Sequence, residues 1–495
     1  MQGDDNMRLP LLGFAVFFGF LLVQNPLFSQ NIEDAVRFSA PQTLGTARFV
    51  GMAGSFGALG GEASAVNSNP AGIGVFRTGQ FTASMTIGQS KNSTAHYGSE
   101  SEAGIGLGRL SNFSIVLSEE VEHPDWEFVN AFFSYNQQSM FTTKSKFEGV
   151  NNQSSLLDLY FLDIIEDPNV TVESVEAFFP FGAGLAWGAF LIDTANGEYI
   201  HANELHGQTQ GREDQERRGI GHYNFGVGGN YRDKLHLGAS IGVSALRYSN
   251  TSTYSEVMPE NNPNTFVTSW KQTSELNIRG NGFQLKMGAI YRINKILRMG
   301  ASFKSQEFFK LSETYTNTLV ANWEDRPLTS AESPEGLNDY RMRSPYTLGL
   351  SFGAAKKKIG AINIDVDYID YRAIQFKSFG EFPVDFTGLN NELSAAFKPT
   401  FNFRSGIEKP IGPYTLRAGY SFNQGIENTT LLDRHQFGLG FGYRRDLFAF
   451  DIGYGYAVSA VGERYIHFAE NVNLAASQFK VEQHQVVLSF AVYLK

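Results

Sequence analysis

Asp365 and Asp367 stand two residues apart in INIDVDYID, the spacing of a carboxylate pair on one face of an extended chain. Such a pair suits acid–base chemistry or the gating of an ion. His201 and His206, near Glu198 and Glu204, are of the types that hold a metal. They lie in EYIHANELHGQTQGREDQERR, a polar stretch that reads as a solvated loop, and no metal is expected there. Gly54-Ser-Phe-Gly57-Ala-Leu-Gly60-Gly61 and Gly104-Ile-Gly106-Leu-Gly108 share only their glycines with phosphate loops, because no strand–helix–strand context follows. Cysteine is absent, which excludes disulfides, thiolate metal sites, cysteine nucleophiles and a lipidated N-terminal cysteine together. No serine–histidine–acid set falls at strand ends, so neither an enzyme nor a cofactor is expected. With a net charge of −10 and no basic stripe carrying aromatics, nucleic acid is not an expected partner.

The elements that must position these residues are strands. LFAFDIGYGYAV (Leu447 to Val458) puts Phe448, Phe450, Ile452, Tyr454 and Tyr456 on one face and Ala449, Asp451, Gly453 and Gly455 on the other. The same period of two recurs from Tyr223 to Tyr231, Leu235 to Val243, Phe283 to Tyr291, Leu297 to Phe303 and Tyr346 to Phe352. It returns from Ile362 to Tyr368, Tyr414 to Tyr420, Phe437 to Tyr443 and Val486 to Val492. Weaker candidates near 80–88, 105–117, 127–136 and 398–408 bring the count to about fourteen.

Composition fits two-faced strands that meet different media. The chain is 18% charged, against about 25% in soluble domains, yet 14% aromatic, with 51 Gly and 43 Phe among its 495 residues. Mean hydropathy is only −0.22, because small polar residues rise as charge falls. From Tyr223 onward the connections alternate. Tight turns at 232–234, 292–295, 355–358, 409–413 and 444–446 are separated by long polar stretches at 244–276, 313–343, 373–396 and 460–479. Short turns on one side, long loops on the other and strands apolar on one face describe an outer-membrane barrel. Tyr231-Arg232, Tyr291-Arg292 and Tyr443-Arg444 each place a tyrosine at headgroup depth and a cation in water before a short turn. The expected fold is therefore all-β, a transmembrane antiparallel barrel of about fourteen strands with its aromatic face in lipid. Asp365, Asp367, Arg417 and Asp451 then become candidate polar residues of the lumen. In that setting the aspartate pair reads as hydrated wall, with ligand or ion gating as the alternative.

Residues 1–29 read as a signal peptide, with Met7 as the expected initiator ahead of Arg8 and the apolar stretch from Leu9 to Val23. No later run approaches the roughly 20 apolar residues of a spanning helix. A non-strand segment, 30–76, precedes the barrel, 77–495, and both termini are expected in the periplasm of a Gram-negative cell. The largest connection, 141–218, carries two helical patches. Leu157, Tyr160, Phe161 and Ile164 share one helical face. Phe178, Phe179, Phe181, Trp187 and Phe190 are candidates for capturing a hydrophobic ligand, the alternative being packing of loop helices onto the barrel.

GTARFVGMAGSFGALGGEASAVNSNPAGIGVF (Gly45 to Phe76) resembles the N-terminal region of the FadL/TodX-type outer-membrane transporters of hydrophobic compounds. Asn69, Pro70, Ala71 and Gly72 are similar to that family's NPAG hallmark. The hairpin from Arg343 to Arg372 and LRAGYSF (Leu416 to Phe422) resemble its later strands. The resemblance implies a fourteen-stranded barrel whose N-terminal segment folds inward as a hatch, with those four residues in it. It also implies passive uptake of fatty acids or aromatic hydrocarbons, with exit sideways through the wall into the bilayer. The family's exit depends on a kinked third strand, whereas WEFVNAFFSYNQQSM (Trp126 to Met140) contains neither Gly nor Pro, so no kink is expected there. The chain also ends Val492-Tyr-Leu-Lys495 rather than on an aromatic residue. The bilayer, a hydrophobic ligand and the barrel-assembly machinery are the expected partners. Two alternatives stand beside uptake: a barrel of this fold serving as a subunit in protein secretion or surface assembly, and a general porin.

Overall fold

The alternating segments pair into one closed antiparallel wall of fourteen strands. The computed structural model describes residues 32–203, 205–260, 266–380, 383–426, 432–464 and 476–494. The expected signal peptide, Glu204 and the middle of the last long loop lie outside them. The first three strands are Gln80–His96, Ser99–Glu120 and Trp126–Met140, the third continued by Thr143–Asn151. The fourth to sixth are Gln208–Tyr231, Leu235–Val257 and Val267–Arg292. Strands seven to nine are each interrupted: Leu297–Lys304 with Phe308–Trp323, Gly336–Arg343 with Thr347–Lys356, and Gly360–Asp370 with Gln375–Ser378. The remainder are Pro399–Ile411, Tyr414–Asn423, Arg434–Arg444, Phe448–Ser459 and Ser477–Tyr493. The last pairs with the first from Gln80 against Tyr493 to Ala95 against Gln478, which removes the sheet edge at that seam.

The two faces separate as alternation requires. On the thirteenth strand Phe448, Phe450, Ile452 and Tyr454 are exposed to the surroundings, whereas Ala449 is buried and Asp451 half-buried. Arg232 covers the Tyr231 ring at 5.3 Å and Arg444 covers Tyr493 at 4.3 Å, so the tyrosine–arginine belt sits at the short-turn end. No described helix is long and apolar enough to cross a membrane.

Two of the stretches expected as loops, 244–276 and 313–343, are largely strand, whereas 373–396 holds a helix, Thr387–Ala396. The ladder between strands five and six runs on to Val257 opposite Ser269, and that between six and seven to Asn322 opposite Ser269. Beyond the apolar band both faces of these strands carry polar residues, so the period of two vanishes from hydrophobicity while the backbone pairing continues. Within 141–218, likewise, 143–151 and 208–218 are strand, and the helix Leu156–Glu166 stands between them.

Candidate ligand path

Residues 32–76 enter the barrel: 32–38 pack among Phe141, Tyr248 and Tyr340 on the long-loop half, and the later part of the segment fills the short-turn end. Asn69 caps the 3₁₀ turn Pro70–Val75, its Oδ1 accepting from the Ala71 N–H at 3.0 Å. Pro70, with no N–H to satisfy, suits the first position of that turn. The Asn69 amide donates to the Gly57 carbonyl at 2.7 Å and to the wall carbonyl of Ala289 at 3.3 Å. Ala71 and Gly72 are buried behind it, Gly72 so close to Gly60 that a Cβ would lie 3.1 Å from the Gly60 Cα. Glycine on the wall makes room for this turn. A Cβ at Gly238 would strike the Pro70 carbonyl oxygen, and one at Gly288 the Asn69 side chain.

The four candidate lumen residues form two groups, both against the hatch. Asp365 accepts from the Gly57 N–H at 3.1 Å and, with Asp367, faces Arg404. Arg417 bridges Asp451 at 2.6 Å and Glu408 at 2.7 Å, and Glu408 also holds Arg48 of the hatch at 2.8 Å. Inside the hatch, Glu62 accepts from the Ser64 and Ala65 N–H groups at 2.7 and 2.8 Å. Burial pushes its carboxyl above the ordinary range, against the pull of Thr46, Arg48 and those N–H groups.

The third strand does not follow the wall. Its register shifts between Gln137 and Ser139, and it is interrupted at 141–142. Strand two pairs with it only from Asn112 to Glu120, so 99–111 hydrogen-bond to strand one alone among the described residues. Beyond the break the third strand leans inward. Asn92, on the inner face of strand one, donates to Thr143 Oγ1 and to the Lys144 carbonyl, both at 2.7 Å, and Thr94 donates to the Lys146 carbonyl. The ladder between strands two and three is therefore open from Ser111 outward, starting at the height where Met85, Ile87 and Leu110 face outward. The expectation of an unkinked strand is thereby corrected. The alternation fails at Asn136-Gln137-Gln138, three polar residues in succession, rather than at a glycine or proline.

Two cavities border this break on the lumen side. One, of about 250 Å³, is lined by Met140, Phe141, Phe147, Phe479 and Val481, with Val36 of the N-terminal helix Ile32–Arg37. Its polar side includes Arg37, Arg464 and Arg434. Arg37 pairs with Glu216 at 3.3 Å and Arg464 with Asp214 at 3.2 Å. Arg434 donates to Gln483 and has no carboxylate partner among the described residues. The second, about 150 Å³, is polar and contains Gln137, His222, Lys286 and Glu307. There the Lys286 Nζ lies 3.0 Å from Asn67 of the hatch and 3.1 Å from both Asn224 and His222.

The outer loop packs on the strand extensions. In the helix Leu156–Glu166, Leu157, Tyr160 and Ile164 are buried, and Phe161 meets the His201 ring at 5.3 Å. The helix starts on Glu256, beyond the apolar band on strand five. That carboxylate accepts from Ser155 Oγ at 2.6 Å, Leu156 N at 3.0 Å, Gln210 at 3.1 Å, Asn203 at 3.2 Å, Tyr254 at 2.6 Å and Trp270 at 3.3 Å. Burial pushes it above the usual carboxylate range, opposed by these donors. The candidate capture residues are spread over this cap. Phe178 and Phe190 are exposed, Phe181 packs on Tyr315 at 4.8 Å, Trp187 on Tyr199 at 5.9 Å and Phe179 on Phe178 at 6.4 Å. None of them lines either cavity at the break. His201 and His206 both face Asp158, at 3.3 and 2.9 Å, and no set of metal-holding side chains occurs among the described residues.

A family model described as outer membrane protein transport protein (OMPP1/FadL/TodX) matches residues 38–494. Among solved structures, a Pseudomonas aeruginosa FadL homologue is similar at a TM-score of 0.56 and 12% identity, over 92% of this chain and 99% of that one. The P. putida toluene transporter TodX is similar at 0.53 and 14% identity, over 92% and 99%. At such identities the likeness is one of fold. No curated protein matches this chain by sequence.

Proposed function

Because this chain belongs to the OMPP1/FadL/TodX family of outer-membrane transport proteins, we propose that it takes up long-chain amphipathic acids passively and releases them sideways into the bilayer. The aperture beside strand three carries this reading. Hydrocarbon does not tolerate an unpaired sheet edge unless it lines a passage or is covered by protein, and residues 108–111, opposite Ile87 to Met85, bring such an edge into the height of the apolar band. The 250 Å³ cavity behind the break offers aliphatic and aromatic walls for a chain, and Arg434, without a carboxylate partner, suits an anionic head. Lateral release keeps apolar surface out of water throughout, which a lumenal exit would not. With the short turns facing the periplasm, strand fourteen ends on that side, where the Leu494 N–H donates to Gly79.

Binding of a long-chain fatty acid and of toluene to the purified barrel separates the substrate classes. Loss of one charge-assisted hydrogen bond, about 1.5–3 kcal/mol, weakens binding about tenfold or more. Arg434→Gln is expected to do so for the acid and to leave toluene unchanged; equal binding of both ligands by both proteins assigns the site to neutral hydrocarbons. The exit is tested in cells. Because native cysteine is absent, a bulky maleimide on Leu107→Cys, at the free edge, marks the aperture alone. Uptake that falls several-fold while binding is kept supports lateral release, and undiminished uptake overturns it.

A further inference from the structure

The outer surface of the wall carries a second feature, unrelated to the lumen. Strands seven, eight and nine are all interrupted at one height, at 305–307, 344–346 and 371–374, where Pro345 removes a donor from the ladder. The wall bends there, and a groove of about 550 Å³ opens on its outside. Two rungs of the sheet form it. In the first, Phe283 stands opposite Phe308 and Phe308 opposite Arg343. In the next, Lys310 stands opposite Arg341 and Arg341 opposite Lys377. Phe283 is 42% and Phe308 54% exposed, and the three cations of the second rung are exposed as well.

The height of these cations is what makes them informative. Reading outward along strand six, Tyr291, Met287, Leu285 and Phe283 face lipid, and the next outward positions are Asn281 and Arg279. Along strand seven, Phe308 is followed by Lys310. Apart from Arg343, which stands opposite Phe308 and donates to the Ala373 carbonyl, the cations begin where the apolar band stops, on the long-loop side, which is the depth of the outer-leaflet headgroups. Arg247 and Arg279, opposite one another, stand one rung further out, in register with Ser312, and are not part of this row. None of Lys310, Arg341 and Lys377 has a carboxylate partner among the described residues. The Phe379 ring, one rung further out, meets both Lys310 at 4.7 Å and Arg341 at 4.5 Å. Among the described residues, the outward carboxylate of Asp339 is one rung further out and takes the Ser312 hydroxyl. Three converged cations left unpaired repel one another unless an anion joins them.

We propose that this groove binds a phosphorylated, polyacylated saccharolipid of the outer leaflet, its phosphate held by Lys310, Arg341 and Lys377 and an acyl chain laid along Phe283 and Phe308. Apolar rings below and cations above match such a molecule in the order in which the leaflet presents it. A phosphate carrying two negative charges meets the cations with charge-assisted bonds, and the chain stays in hydrocarbon.

Native mass spectrometry and vesicle binding of the full-length barrel test this with three probes: bis-phosphorylated lipid A, the same lipid enzymatically dephosphorylated, and phosphatidylglycerol. The protein is expected to retain one lipid A, to hold the dephosphorylated form at least tenfold less tightly, and to hold phosphatidylglycerol similarly weakly. The triple variant Lys310→Ser, Arg341→Ser, Lys377→Ser is expected to lose that preference. Arg247→Ser, off the groove, serves as the charge control and is expected to keep it. Equal binding of phosphorylated and dephosphorylated lipid, or a triple variant that still discriminates, overturns the site. Phosphatidylglycerol binding as tightly as lipid A reduces it to a general attraction for anionic surfaces and overturns it too. Fatty-acid uptake by the folded triple variant is expected to be unchanged, so this proposal and the transport reading fail separately.

Discussion

Gly238 and Gly288 lie on the inner face of neighbouring strands, where alternation alone would admit any small side chain. Their neighbours in space are Pro70 and Asn69, some two hundred positions away in sequence, and a single Cβ decides whether the hatch can seat. Gly238→Val is expected to lower the thermal stability of the barrel, read by loss of heat-modifiable migration on gels, by the ~1–3 kcal/mol typical of overpacking. An unchanged transition would mean that the Pro70 turn moves aside at little cost. Asn69, Pro70, Ala71 and Gly72 were legible as a short motif through the resemblance, and the structure adds the cap that Asn69 makes. The residues that receive them were not, since a glycine that makes room for a distant backbone carries the same letter as one that faces an open lumen.

Elements were legible wherever their two faces meet different media. The ten strong alternating segments are all strands, because lipid on one side and lumen on the other impose a period of two. Outside the membrane both faces meet water or protein, and the extensions of strands five to eight lost their signature. The cap built on those extensions depends on Glu256, which gathers the N-terminus of a loop helix and side chains from three strands. Glu256→Gln turns one acceptor oxygen into a donor among donors, and each buried donor left unpaired costs about 1–3 kcal/mol. Limited proteolysis is expected to cut 152–207 faster in that variant while the barrel remains intact. A cleavage rate equal to the parent's would show that the cap is held by its apolar packing alone. The break in strand three belongs to the same scale. Alternation fails there at Asn136-Gln137-Gln138, but a polar run does not by itself end a ladder, and only the structure placed the break.

At the scale of the whole molecule, the hatch separates this barrel from an open pore. The ion pair from Arg48 to Glu408, the Asn69 bonds and the Gly57–Asp365 contact tie it to strands ten, six and nine of the wall. In planar bilayers the intact protein is expected to give no large, steady conductance, whereas stable porin-sized steps would return the general-porin alternative to the front. The sequence by itself determined the period, the closed all-β wall, the side that faces lipid and the family, because each follows from local alternation or from a short motif. Tertiary structure alone decided where the wall opens, which lumen residues hold the plug, and that cations from strands seven, eight and nine converge on one outer groove. Those features join residues from separate strands, and register is set by the pairing of whole ladders rather than by any one segment.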